Sequence, residues 1–134
     1  MNLKYKIPAI LYTGLIFFLS SIQQSSIPPV RLFGFDKIVH LIEYLIYGLT
    51  LMLAYSNSKS KKIVNNAFSI SLITGILYAV SDEIHQYFVP GRDMSIFDLS
   101  ADVLGLFFGL FIFNKIVQYK TNSKDIHYQN VTHK

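Results

Sequence analysis

Four stretches of apolar residues, each long enough to cross a bilayer as a helix, follow one another in a chain of 134 residues. They leave little room for anything else. A hydrocarbon layer of ~30 Å takes about 20 helical residues, whereas a soluble domain of this size buries one core and has no use for four separate greasy segments. The pattern predicts an all-α integral membrane protein with four transmembrane helices. The first covers residues 7–22 (IPAILYTGLIFFLSSI) and the second residues 37–55 (KIVHLIEYLIYGLTLMLAY). The third begins near Asn66 and runs through AFSISLITGILYAVSDEIHQYF; the fourth, IFDLSADVLGLFFGLFIFNKIV, ends near Val117.

The punctuation between them agrees. Pro8 sits near the start of the first span, where a missing amide hydrogen costs little, and Pro28–Pro29 cannot continue a helix. Leu32, Phe33 and Phe35 suit the interface. Asp36 is the expected N-cap of the second span, SNSKSKK ends it, Pro90–Gly91 forms a turn, and Ser95 caps the fourth span. Residues 1–118 thus read as one membrane domain. Residues 119–134 (YKTNSKDIHYQNVTHK) read as a polar, disordered tail.

Charge sets the expected orientation. Of the 12 Lys and Arg residues, Arg31, Lys37 and Arg92 fall on one side, and all the others flank the opposite helix ends. By the positive-inside rule both termini are cytoplasmic. The formal charge of +4 is therefore a topological signal. No aromatic-studded basic patch accompanies it, which argues against nucleic-acid binding. With no cysteine in the chain, disulfides and thiol chemistry are excluded.

The acids go the other way. All except Asp125 lie at the outer helix ends or in outer loops. At 1.5 Å per residue from the cytoplasmic ends, His40, Glu43, Asp82, Asp98 and Asp102 reach ~18–25 Å into the ~30 Å core. That is one level, in the outer leaflet. His40, Glu43 and Tyr47 share a face of the second helix with Tyr44 beside it, and Tyr78, Asp82, His85 and Gln86 share a face of the third. Glu83 is turned about 100° from that face. On the fourth helix Asp98, Asp102, Gly105 and Gly109 form a stripe, and its glycines let a neighbouring backbone approach.

Ionisable groups at this depth are costly unless paired, and they mark functional sites. The candidate catalytic residues are His40, Glu43, Asp82, Glu83 and His85; the candidate ligand-binding residues are Arg92, Gln86, Asp98, Asp102 and Tyr44. No cofactor is demanded. A divalent metal is admissible, because His40 with Glu43 and Asp82 with His85 each set mixed nitrogen and oxygen ligands on one helix.

The segments FFLSS, DKIVHLIEYLIYG and SDEIHQYFVPGRDMSIFDLSADVLGLFFG resemble the VanZ-like family of small bacterial membrane proteins over about residues 7–113. The family pattern carries onto Asp36, Lys37, His40, Tyr44, Glu83, Gln86, Pro90, Gly91, Arg92, Asp98, Gly105 and Gly109. One departure is Asp102, where the family commonly has asparagine, a side chain able to donate as well as accept. The resemblance implies a multi-pass protein of the bacterial cell membrane, with an association to resistance against the glycopeptide antibiotic teicoplanin and no settled molecular activity.

Four functions compete on these residues. The leading expectation is recognition of a lipid headgroup or lipid-linked cell-wall precursor in an outer-leaflet polar pocket, with Arg92 as the anion clamp. Next comes a metal- or His/carboxylate-dependent enzyme acting on a lipid-linked phosphoester or peptide. Ion or proton transport and a purely structural cluster complete the set. The glycine stripe is also compatible with a homodimer.

Overall fold

The computed structural model describes residues 3–23 and 34–132 and consists of helices alone: α1 (Leu3–Ser20), α2 (Phe35–Ser56), α3 (Lys61–Asn65), α4 (Ala67–Tyr87) and α5 (Ile96–Thr132). Four segments are long and apolar enough to span a membrane, namely α1, α2, α4 and Ile96–Val117 of α5. Most outward-facing positions are large and hydrophobic, among them Leu11, Phe18, Ile42, Leu77 and Phe111. A surface of that kind belongs against lipid. The Pro28–Pro29 linker with Arg31, Leu32 and Phe33 lies outside the described residues.

The architecture is built on α2 and α5, which run parallel and nearly backbone to backbone. Glycine makes this possible. A Cβ at Gly105 would meet the Leu41 carbonyl, one at Gly109 the Leu45 carbonyl, and one at Gly48 the Leu106 carbonyl. Close approach of this kind is how membrane helices associate when lipid is as apolar as their side chains. Leu106 and Leu110 are fully buried in the seam. The glycine stripe is therefore spent inside the chain.

Against this pair α4 packs on one side, with Leu106 filling the hollow at Gly75. Helix α1 packs more lightly, through Ala9 and Ile16. Between α1, α2 and α4 sits a layer of tyrosines. Tyr47 stacks on Tyr12 (6.4 Å), meets Tyr44 edge-on (5.9 Å) and tilts against Tyr78 (5.3 Å). Tyr78 donates to the Thr13 carbonyl at 2.7 Å.

Some boundaries differ from the sequence reading. Helix α1 begins at Leu3, so Pro8 lies inside it. Asp36 does not cap α2. The cap position is Gly34, at φ 77°, and Asp36 falls in the first turn, ion-paired to Lys37 at 2.6 Å. Lys61–Asn65 form a short helix of their own. Backbone helix also continues in α5 to Thr132, with neither proline nor glycine after Gly109 to stop it. The expected cap at Ser95 is present, its Oγ accepting the Asp98 amide at 3.3 Å.

Candidate functional site

The end of the bundle where α1 and α4 finish and α2 and α5 begin collects the polar residues. Because α2 and α5 run parallel, their first turns lie side by side, which brings Lys37 to Asp98 and His40 to Asp102. Lys37 Nζ lies 2.6 Å from Asp98 Oδ1 and from Asp36 Oδ2. His40 Nδ1 is 3.0 Å from Asp102 Oδ1. An ionised carboxylate only accepts, so Nδ1 carries the proton in this bond and Nε2 is left with its lone pair free.

Helix α4 adds two neighbouring acids that are both buried. Asp82 points to the α1 and α2 side, where Gln86 Nε2 donates to it at 3.1 Å. Glu83 points the other way, to α5, and its Oε2 accepts the Ser95 amide at 2.8 Å. Being 2% exposed, Glu83 does not reach out to lipid. Its second oxygen, Oε1, is buried with no hydrogen-bond partner among the described residues.

Three of these groups converge. His40, Glu83 and Asp98, from three helices, offer ligand atoms that all lie within 4.8 Å of one another. One imidazole nitrogen and two carboxylates suit zinc, manganese or a similar divalent ion. The Asp102 contact is the kind of outer support that holds a ligating imidazole in one tautomer and orientation. The sequence reading paired His40 with Glu43 and Asp82 with His85. Of those four, the structure brings only His40 into the three-residue group, and the other two ligands come from α4 and α5. Spacing along one helix shows pairs on that helix and carries no information about which helices touch.

The remaining candidates surround the centre. Glu43, one turn below His40, has a buried Oε1 without a partner among the described residues and lines a cavity of about 180 Å³ together with Ser20, His40, Gln86 and Arg92. Tyr44 is fully buried, its hydroxyl without a hydrogen-bond partner among the described residues. His85 turns to α1, stacking on Phe17 at 4.6 Å and sharing a 3.0 Å hydrogen bond with Ser21 Oγ.

Arg92 does a task that composition does not reveal. Its Nε donates to the Ile22 carbonyl at 3.3 Å, one terminal nitrogen to the Leu19 carbonyl at 3.2 Å, and the other to Gln86 Oε1 at 3.4 Å. It thus caps the C-terminal end of α1, whose last carbonyls have no partner within the helix. Two of its five N–H groups remain for the cavity.

Electrostatically the site is short of positive charge. Glu43, Asp82, Glu83, Asp98 and Asp102 are gathered around Lys37 and Arg92, with the imidazoles of His40 and, beside Asp82, His85. Below them the tyrosine layer separates the site from a second cavity of about 330 Å³, lined by Lys6, Thr13, Tyr47, Tyr55 and Thr74 among others. Among the described residues no carboxylate lines that second cavity.

A scan against family models matches residues 3–118 to VanZ/LLP1. The matched stretch contains all four spans and every residue of the site. No curated protein and no solved structure matches significantly. The chain, a multi-pass membrane protein, belongs to the VanZ/LLP1 family.

Proposed function

We propose that this chain is a membrane-embedded hydrolase of the bacterial envelope, in which His40, Glu83 and Asp98 hold a divalent ion acting on the phosphoester of a lipid-linked substrate. The observation that carries the reading is the convergence of these three ligand types from three helices. Charge supports it. Buried carboxylates outnumber the fixed cations around them, and unpaired charge away from water costs several kcal/mol per group. One divalent ion would cancel most of that surplus.

The divalent ion would polarise the phosphoryl oxygens. Water adds through its oxygen to phosphorus, and the bond from phosphorus to the leaving oxygen breaks. One water proton passes to Glu43 and then to the leaving oxygen. The lysine distribution supports an extracytoplasmic site, where lipid-linked cell-wall precursors are handled, with both termini in the cytoplasm.

Elemental analysis of the protein purified in native-lipid nanodiscs tests the reading, alongside phosphate release from undecaprenyl phosphate, a phosphomonoester. One divalent ion per chain and release abolished by His40→Ala and Glu83→Gln are expected. Absence of any bound ion after dialysis against zinc and manganese overturns it.

A second reading has one observation in its favour, the presence of Arg92 and Gln86 in the cavity beside His40. On that reading the site retains an anionic headgroup without chemistry, and resistance to a lipophilic glycopeptide such as teicoplanin follows from altered access to the membrane surface. Native mass spectrometry separates the two: retained phospholipid with no metal is the signature of the second.

A further inference from the structure

Two of the three candidate ligands face different cavities. His40 lines the polar cavity between α1, α2 and α4. Glu83 lines a separate cleft of about 180 Å³ between α4 and the start of α5, walled by Val80, Ile84, Met94, Ile96 and Leu99. That cleft is almost wholly apolar, and it opens on the lipid-facing side, where Ile84, Met94 and Ile96 are exposed. Its volume matches about six waters' share of liquid, enough for a run of methylenes and too dry for a headgroup. The centre therefore has the cavity with Glu43, Gln86 and Arg92 on its His40 side and the apolar cleft on its Glu83 side. Glu83, on the apolar side, has its Oε1 buried and without a partner among the described residues.

We infer that the α4–α5 cleft holds the first part of the substrate's hydrocarbon chain, and that the ligand class is a single-chain amphiphile whose phosphate sits at the junction of chain and headgroup. The phosphate lies at His40, Glu83 and Asp98, and the polar remainder extends into the cavity with Glu43, Gln86 and Arg92. The chain enters sideways from the bilayer between Ile84 and Ile96. Lipid tails are as apolar as the cleft, so chain burial adds little affinity. The cleft orients the phosphate instead. The inference rests on the metal-centre reading, and its test is chosen to be separable from that reading.

The probe is an alkyl monophosphate carrying a diazirine on the chain close to the phosphate, added to zinc- or manganese-loaded protein in nanodiscs and photolysed. Label is expected on residues 80–84 and 94–99, suppressed by excess undecaprenyl phosphate and reduced severalfold in Ile84→Trp, whose indole fills the cleft. If Ile84→Trp does not fold, Met94→Trp, on the exposed rim, gives the same test. Label spread equally over Phe17 and Phe18 of α1, or unmoved by either substitution, overturns the inference. Phosphate release from the same probe reads the hydrolase separately. Cleft labelling without release keeps the chain site and removes the hydrolase; release without cleft labelling does the reverse.

Discussion

His40 on α2 donates through Nδ1 to Asp102 on α5, 3.0 Å away across the glycine-lined seam, and Asp102 is wholly buried. The bond occupies Nδ1 and leaves Nε2 as the ring nitrogen able to bind an ion. Removing it with Asp102→Ala lowers divalent-ion affinity by about 10–100-fold, the usual effect of losing such a support. Asp102→Asn keeps an accepting oxygen and falls by less. Titration with zinc against a competing chelator measures both, and equal affinity in all three proteins rules the orienting role out.

Glu83 allows structure and ligation to be separated. In Glu83→Gln the amide oxygen still accepts the Ser95 amide, so the start of α5 stays in place, but the anionic ligand is gone. The variant is expected to fold and to lose its ion. Chelation of the wild-type protein lowers its thermal stability by about 3 kcal/mol when the ion had been present at about 100 times its Kd. Glu83→Gln, with no ion to lose, shows no such drop. A chelator-sensitive melting curve in the variant contradicts Glu83 ligation.

Gly105→Ala places a methyl against the Leu41 carbonyl. Backbone cannot swing aside as a side chain can, so α2 and α5 separate, at a cost of about 1–3 kcal/mol. Gly109→Ala behaves alike at Leu45. Gly14→Ala, with nothing within 4 Å of the new Cβ, leaves stability unchanged or slightly raised. Unfolding in detergent at fixed concentration ranks the three, and equal values exclude the glycine-seam account of the pair.

Arg92→Ala strips the α1 terminus of its capping donors. A loss of about 1–3 kcal/mol is expected, concentrated as faster hydrogen exchange over residues 16–22, while metal content stays at the wild-type level. Arg92→Lys restores little, since an ammonium cannot reproduce the planar fork that reaches Leu19, Ile22 and Gln86 together. If exchange at α1 is unchanged while bound phospholipid disappears, Arg92 serves the ligand and not the helix.

The four spans were legible because apolar length is a one-dimensional property, and a bilayer demands it of each helix alone. The shared depth of His40, Asp82 and Asp98 was legible for the same reason. Partner choice was not. Asp82 and Glu83 sit about 100° apart on α4, so the spacing names both as candidates without saying what each one faces. Both are buried because α4 is flanked by α1 and α2 on one side and α5 on the other. The contacts of Arg92 with the Leu19 and Ile22 carbonyls were not legible either, because the carbonyls at the end of α1 leave no mark in the sequence. Asp36 read as a cap because Asp before an apolar run usually is one; Gly34 takes that place in the left-handed region, and Lys37 holds the aspartate in an ion pair.

The parallel pairing of α2 and α5 also has a consequence for biosynthesis. His40 and Asp102 are 62 residues apart, and at roughly 5–20 residues per second of synthesis the helix bearing His40 and Glu43 waits about 3–12 s for the one that completes it. During that interval its polar stripe has no permanent partner. The nascent α2 must stay at the insertion machinery or near the headgroups until α5 arrives, so release into lipid is timed by the last span to be made.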